Sequence, residues 1–324
     1  MSIVAYALYR YNSSAVGVGM FGRAQFNGTS TITALTPKIG NDDPNAPNVT
    51  PDAKTFWFKN KDGAGRILLA QTYYNADYIA QPSIMCVYDE NMNLVYGVQT
   101  TDPTDPGAKT WGGYTNLYAV TTGSDGTNYC LYCIDYDAAV IFRVIDAGGD
   151  SYTYDAASLY SYAPLSSAPT GTKGYGVDIT TDGSAIYGLF INGTNVFTGA
   201  YSNSTVVKLP MTLGSTVSAR NDGFAYNAFS LQLYTGGTSN ELYVTAVGGM
   251  QNYGSSNGAA SKIQKITTGF TSATAVTPLL SGGSIAKQGD FRALSFKADG
   301  SDVFILTGFY NTAGDALSCY FRLG

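Results

Sequence analysis

A repeated hairpin constrains this chain more than any other feature of its sequence. Five times, an apolar and tyrosine-rich run leads through a glycine-containing turn into a second apolar run. The turns are Asp62-Gly63, Asp125-Gly126, Asp182-Gly183, Gly236-Gly237 and Asp299-Gly300. Such pairs favour tight hairpin turns, because these turns need a positive φ at one or both central residues. The turns recur about every 60 residues, and a fixed period of this kind indicates a repeat architecture.

Each repeat has room for four strands. The clearest one places strands at 229–234, 241–247, 262–266 and 273–278. Residues 1–40 match such a repeat without its first strand, and residues 291–323 make only three strands. Terminal units that each lack a strand are typical of a ring whose last unit is shared between the chain ends.

Four-stranded repeats joined by Asp-Gly hairpins resemble the β-propeller superfamily, in the manner of the WD40-like and lactonase-like propellers. The resemblance implies an all-β fold: a single β-propeller domain over residues 1–324, built from four-stranded antiparallel blades, with incomplete terminal blades that close the ring. Six blades fit best, since 324 residues divided by six gives 54 per blade; five or seven are the alternatives. Neither a Trp-Asp dipeptide nor a kelch Gly-Gly signature assigns a family.

Composition restricts the partners. Charged residues make up only 13% of the chain, and the net charge is -5. No run of Lys or Arg is present, which argues against a nucleic-acid partner. No apolar stretch approaches the roughly 18 residues of a membrane helix, so we expect no membrane insertion. The alternating segment 1–11 does not read as a signal peptide.

The absence of histidine limits catalysis. The chain has none, which excludes Ser–His and Cys–His nucleophilic pairs and histidine metal sites. Glycoside hydrolysis needs two carboxylates, one of them protonated. Asp178 is the best inward-facing candidate, but no second carboxylate pairs with it, and turn-forming Asp is the simpler interpretation. We therefore predict a protein that is not an enzyme and has no catalytic residue.

Cysteines and loop oxygens give no clear metal site. Cys130 and Cys133 lie three apart, so in a strand they point to opposite faces and cannot easily share a ligand. We predict four reduced cysteines, no bound metal and no cofactor. A calcium site in the loop 41–45 is the alternative, because Asn and Asp oxygens cluster there.

Tyrosine-rich segments are the best binding candidates. Tyr combined with Ser, Gly and Asn is typical of adaptable recognition surfaces, because the rings give contact area and the small residues give hydrogen bonds. The alternative is that these tyrosines are ordinary half-buried strand residues. The predicted binding residues are Tyr73, Tyr74, Tyr78, Trp111, Tyr114, Tyr152, Tyr154 and Tyr160.

Composition and context together predict a non-enzymatic structural or adhesion protein. Low charge, with many Tyr, Thr, Ser and Asn, is typical of an extracellular setting, yet no signal peptide or disulfide-like array of cysteines is present. A virion component, such as a phage tail or surface appendage, fits both facts. Its partners would be protein subunits of an assembly or surface glycans, and open terminal strands would permit a homo-oligomer. The alternatives are a cellular carbohydrate- or protein-binding propeller and a glycoside-acting enzyme.

Overall fold

The structure is a computed structural model, and it describes sixteen segments of the chain. These are residues 3–11, 18–26, 32–39, 53–74, 79–100, 104–166, 170–193, 203–214, 216–224, 227–235, 240–247, 262–270, 273–276, 295–299, 302–310 and 316–323. The side chains of the first three and last three strands lie outside this description.

The described residues form strands in six sheets, and within each sheet consecutive strands are neighbours. The first sheet has three strands: β1 (Ile3–Tyr11), β2 (Val18–Phe26) and β3 (Ile32–Ile39). The second has four: β4 (Lys54–Lys59), β5 (Gly65–Tyr74), β6 (Ala80–Asp89) and β7 (Leu94–Tyr96). The third has β8 (Leu117–Ser124), β9 (Tyr129–Asp135), β10 (Val140–Gly148) and β11 (Ser151–Ser161).

The remaining sheets repeat the pattern. The fourth contains β12 (Lys173–Thr181), β13 (Ala185–Gly193), β14 (Asn203–Pro210) and β15 (Ala219–Phe224). The fifth contains β16 (Asn227–Tyr234), β17 (Glu241–Val247), β18 (Lys262–Thr267) and β19 (Ala273–Val276). The sixth has three strands: β20 (Ser295–Asp299), β21 (Asp302–Tyr310) and β22 (Ala316–Leu323).

These successive antiparallel meanders confirm the predicted fold class, an all-β propeller with four-stranded antiparallel blades. Four sheets have all four strands, and the described segments contain no helix. None of them therefore holds a helix that could cross a membrane. The number of blades in the ring, its closure by the termini and the single domain over residues 1–324 stay predictions.

The chain divides into two compact units. The first comprises Met1–Leu131 and Arg143–Ala156, and the second comprises Tyr132–Phe142 and Ala157–Gly324. The contacts discussed below each lie within one unit.

The predicted hairpin turns form where the chain is described. Gly63, Gly126 and Gly183 have φ of 79°, 92° and 83°, a region in which glycine has no steric cost. The preceding aspartate closes the turn: the Asp182 Oδ1 atom accepts hydrogen bonds from the Ser184 and Ala185 amides, both at 2.8 Å. Because one Asp oxygen can accept both of these amide hydrogen bonds, Asp is favoured at this position of the turn. Gly236-Gly237 and Gly300 lie outside the described residues.

Inner strands form the core. All nine residues of β13 are buried, which explains an apolar run with no polar alternation. Three cysteines are buried thiols that are not in disulfide bonds, namely Cys86, Cys130 and Cys133. Desolvation raises the pKa of Cys86 to about 12 and raises that of Cys133 as well, so these thiols act as small hydrophobes. The side chain of Cys319 and the loop 41–45 lie outside the described residues.

Candidate functional site

The structure separates the predicted binding residues into three groups. Trp111, Tyr152 and Tyr160 are buried, with at most 4% of their surface exposed. Tyr114 and Tyr154 are half-buried. The others cannot be compared, because the side chains of Tyr73 and Tyr74 and the whole of Tyr78 lie outside the described residues. Binding by these residues stays a prediction; of those whose side chains are described, Tyr114 and Tyr154 are the two that are not fully buried.

The loop that carries Trp111 and Tyr114 is held by the edge of β6. The Met85 amide donates to the Lys109 carbonyl at 2.8 Å, and the Ser83 amide donates to the Tyr114 carbonyl at 2.9 Å. The Thr115 carbonyl accepts from the hydroxyls of Thr72, at 2.6 Å, and Ser83, at 2.8 Å. Both hydroxyls are on buried residues. Residues 109–115, here called the aromatic loop, are therefore fixed at both ends.

An aromatic cluster of three buried rings and the half-buried Tyr96 includes Trp111 of the aromatic loop. The rings of Trp111 and Tyr96 lie 6.4 Å apart, and the Trp111 indole N–H donates to the Tyr96 hydroxyl at 3.5 Å. Tyr96 meets Tyr152 edge to face at 5.1 Å and donates to its carbonyl at 2.9 Å. Tyr152 in turn packs against Phe58 at 6.0 Å. Edge-to-face pairs of this kind add to the stabilisation from buried area, and they anchor Trp111.

Two half-buried tyrosines lie at the outer end of the aromatic loop. Tyr114 meets Tyr154 of β11 with ring centroids 6.3 Å apart and planes at 75°. Their hydroxyl oxygens are 3.5 Å apart. Tyr154 lies two residues beyond Tyr152, so both point to the same face of β11. One residue anchors the buried cluster, and the other reaches the surface.

The glycine pair between Trp111 and Tyr114 is required by this geometry. Gly112 and Gly113 have φ of 69° and 76°, which other residues rarely adopt. A Cβ on Gly112 would lie 2.6 Å from the Tyr154 Cζ atom and 2.7 Å from a Tyr114 ring carbon. A Cβ on Gly113 would meet nothing within 4 Å. Gly112 lets the backbone approach the rings, and Gly113 faces open space.

Arginine-paired aspartates in the first unit are poor proton donors. Arg66 holds Asp150 through two hydrogen bonds of 2.6 and 2.9 Å, and this contact is the largest cause of the lowered pKa of Asp150. Arg143 binds both Asp125 and Asp155. Burial would raise the pKa of Asp125, but amide donors and Arg143 outweigh it, so that pKa is lowered. The carboxyls of Asp125 and Asp150 are therefore ionised at neutral pH and cannot supply a proton.

Asp178, in the second unit, differs from these aspartates because its pKa is raised rather than lowered. It lies beside a β-bulge of β12, and its carboxylate reaches a second bulge in β16. The Oδ2 atom accepts from the Leu231 amide at 2.6 Å and the Ser230 hydroxyl at 3.2 Å, and Oδ1 accepts from the Ile179 amide at 2.8 Å. Desolvation nevertheless raises its pKa to about 6. Burial thus outweighs three donors that favour the charged form.

Sequence reasoning missed two features that bear on function. Tyr96 connects Trp111 to β11, but nothing in its short strand distinguishes it from other tyrosines. Trp57 is 53% exposed on β4, between less exposed neighbours. An alternating pattern is the signal that could have found it. Within the described part of the chain, no group of three or more His, Cys, Asp or Glu side chains could hold a metal ion.

Comparisons with known proteins support the fold. No protein-family model and no curated protein matches the chain. Among solved structures, it is similar to the α-L-arabinofuranosidase Arb93A of Fusarium graminearum, with a TM-score of 0.54 and 10% identity over 99% of this chain and 89% of that one. It also matches the polysaccharide lyase Uly1 (TM-score 0.43, 10% identity, 98% and 76% covered) and the Dos1 propeller (TM-score 0.48, 7% identity, 97% and 66% covered).

These comparisons correct the functional prediction. The solved structure that the chain matches with a TM-score of 0.54 is a carbohydrate-acting enzyme rather than a virion structural protein. The expectation of a non-enzymatic virion or adhesion component is therefore wrong. Low charge and abundant Tyr, Ser and Asn are not specific to virion proteins, because other β-rich proteins share this composition. The same match suggests the possibility of an enzyme and does not support the predicted absence of one. The predicted partners and the extracellular location stay untested.

Proposed function

We propose that this chain is a carbohydrate-acting propeller enzyme that hydrolyses glycosidic bonds. Asp178 gives its proton to the leaving oxygen as the glycosidic C–O bond breaks, a water molecule supplies the hydroxyl that bonds to the anomeric carbon, and the remaining proton of that water restores the carboxyl. The observation that supports this role is the raised pKa of the Asp178 carboxyl. Among the described aspartates whose pKa is displaced, Asp178 is raised to about 6; the lowered ones are Asp89, Asp125, Asp150 and Asp182. A general acid for this reaction must still hold its proton near neutral pH.

The surroundings of Asp178 are compatible with that role. Its Oδ1 atom accepts one hydrogen bond and keeps a second lone pair, which can carry the proton. Its Oδ2 atom is fixed by Leu231 and Ser230, so the carboxyl has a defined orientation. Bulges often occur beside active sites, where they redirect a side chain.

The likeness to an arabinofuranosidase supports a substrate class. That enzyme shares the fold over nearly the whole chain, and its activity suggests α-L-arabinofuranosides for this protein as well. Fold alone carries little functional information, so the test of the proposal includes other glycosides beside arabinofuranosides.

A second candidate is glycan binding without turnover. The three donors around Asp178 are compatible with it, since a carboxylate that only joins two strands needs the same contacts. On this alternative, Asp178 holds β12 and β16 together and no bond is cleaved.

Hydrolysis assays decide between the two candidates. The substrates are p-nitrophenyl α-L-arabinofuranoside, arabinan and a panel of aryl glycosides. We expect Asp178→Asn to lower kcat by about 10²-fold or more, as loss of a general acid does, and the wild-type rate to fall as pH rises above 6. Asp182→Asn is the matched control, a turn aspartate of the same unit with a lowered pKa. Full activity in a folded Asp178→Asn protein would refute the catalytic role, and binding without hydrolysis would favour the second candidate.

A further inference from the structure

Ser230 brings a hydroxyl to the Asp178 carboxyl from the fifth sheet. Asp178 belongs to β12 of the fourth sheet, and β16 carries Ser230. The register of β16 shifts between Ala228 and Ser230, and a bulge of this kind redirects the side chains beside it. Ser230 is buried, with 6% of its surface exposed, and its hydroxyl donates to the Asp178 Oδ2 atom at 3.2 Å. The bulge thus places a buried hydroxyl against the carboxyl.

The donors around Asp178 are distributed unequally over its two oxygens. Oδ2 accepts from the Leu231 amide at 2.6 Å and from the Ser230 hydroxyl, whereas Oδ1 accepts from the Ile179 amide at 2.8 Å. In a neutral carboxyl one oxygen carries the proton, and the other remains an acceptor. Two donors directed at one oxygen favour it as the acceptor, because a proton placed there would meet both of them. The proton is therefore favoured on Oδ1.

Burial and hydrogen bonds determine how readily this proton is lost. Desolvation raises the pKa of Asp178, and donation by Leu231, Ile179 and Ser230 lowers it. The strand registers place four titratable residues on the faces that meet around Asp178, namely Lys173, Tyr175, Tyr187 and Tyr234. The causes of the shifted pKa are instead the burial and the three donors, and Ser230 is the side-chain donor among them.

We propose that Ser230 is a positioning residue that keeps the Asp178 Oδ2 atom as an acceptor, so that Oδ1 carries the proton. The inference rests on the proposed function for the use of that proton, but it concerns where the proton is held and requires no cleavage. Once the proton has passed from Oδ1 to the leaving oxygen, the same hydroxyl donates to a charged carboxylate, and such a bond is roughly twice as strong as a neutral one. Ser230 thus orients the acid before the transfer and stabilises the carboxylate after it.

Infrared spectroscopy at pH 4 tests the position of the proton. Comparing each protein with its own Asp178→Asn counterpart isolates the carbonyl band of the neutral Asp178 carboxyl. A donor to a carbonyl oxygen lowers its stretching frequency, and with the proton on Oδ1 the carbonyl oxygen is Oδ2. We expect Ser230→Ala to raise the frequency, and Ser230→Thr, which keeps the hydroxyl, to leave it close to that of the wild type. An unmoved band in folded Ser230→Ala overturns the inference, because the carbonyl oxygen would then be Oδ1.

The same spectra recorded across pH measure the midpoint of the titration. Loss of a donor to the charged form raises a carboxyl pKa, so we expect the Ser230→Ala midpoint to lie about one pH unit above that of the wild type. Ser230→Cys keeps the size but donates more weakly; its midpoint should lie between the two, and it gives the same comparison if Ser230→Ala does not fold. Equal midpoints in the wild type and these variants contradict the positioning role.

Ser184→Ala is the matched control for these measurements. The Ser184 hydroxyl donates to Asp182 at 2.7 Å, so the variant removes a serine donor from a different aspartate of the same unit. It should change neither the Asp178 band nor its midpoint. A shift as large as that of Ser230→Ala would overturn the inference, because the effect would then not depend on contact with Asp178.

The outcomes separate this inference from the proposed function. Shifts of band and midpoint in Ser230→Ala, without hydrolysis by the wild type, support the position of the proton while the enzymatic proposal fails. Hydrolysis that requires Asp178, with an unmoved band in Ser230→Ala, overturns the positioning role and leaves the enzymatic proposal standing. If both proposals hold, the fall in rate above pH 6 should begin about one pH unit higher in Ser230→Ala than in the wild type.

Discussion

Replacing Asp178 by Asn should change how stability depends on pH. In the folded protein the pKa of Asp178 is about 6, against an ordinary 3.8, because burial disfavours the charged carboxylate. The folded state therefore binds a proton between about pH 4 and pH 6 that the unfolded state has released. The stabilisation from this group is fully present below pH 4 and is lost as pH rises through 6.

The size of the effect follows from the shift. About two pKa units at roughly 1.4 kcal/mol each amount to about 3 kcal/mol of stability. Asn carries no titrating proton, so the variant should lack this dependence. We expect the wild type to exceed Asp178→Asn by about 3 kcal/mol more at pH 4 than at pH 7.5. This difference is the cost of burying the charged carboxylate at the higher pH, which the variant avoids.

Urea unfolding at closely spaced pH values, followed by tryptophan fluorescence, measures this difference. Subtracting the variant from the wild type at each pH cancels the contributions of the other carboxyls. These have lowered pKa values, and their stabilisation is lost as pH falls through them. A difference that is constant between pH 4 and 7.5, or that grows with pH, would falsify the assignment of a raised pKa to Asp178.

Three further outcomes are expected. Arg143→Met should lower the free energy of unfolding by about 3 kcal/mol, because it leaves two largely buried carboxylates without their cation; urea unfolding checks this, and a loss under 1 kcal/mol contradicts it. Gly112→Ala should destabilise more than Gly113→Ala, since both have positive φ but only Gly112 would also strike the Tyr154 ring; equal melting temperatures would count against the close approach. Titration with a thiol reagent at pH 8 should find at most one reactive thiol in the native protein and four in urea. The protected thiols are Cys86, Cys130 and Cys133.

Local sequence predicted the hairpins and the strands well. The Asp-Gly pairs required a positive φ, and Gly63, Gly126 and Gly183 adopt it. That requirement depends only on the residue and its immediate neighbours. The near-continuous apolar run of β13 accompanies complete burial of that strand, which is likewise a local property of the sequence.

Burial of individual aromatic side chains was not predictable in the same way. Trp111 and Tyr152 stand in segments rich in Gly, Ser and Tyr, which suggested accessible loops. They are buried because Tyr96 packs against both, and the pairing of these segments is set by the sheet rather than by local pattern. The pKa of Asp178 likewise depends on burial against β16, more than 50 residues along the chain. Its position was visible in the sequence, but its environment was not.

The aromatic loop also covers a vulnerable edge of the second sheet. β7 has only three residues and pairs with β6 at Val87 and Tyr88. Further along β6, the amides of Ser83 and Met85 are taken by the loop. Uncovered amides on a long strand are a template for pairing with another molecule. Shortening the loop would therefore expose a strand able to join a second chain, and self-association would be the first defect observed.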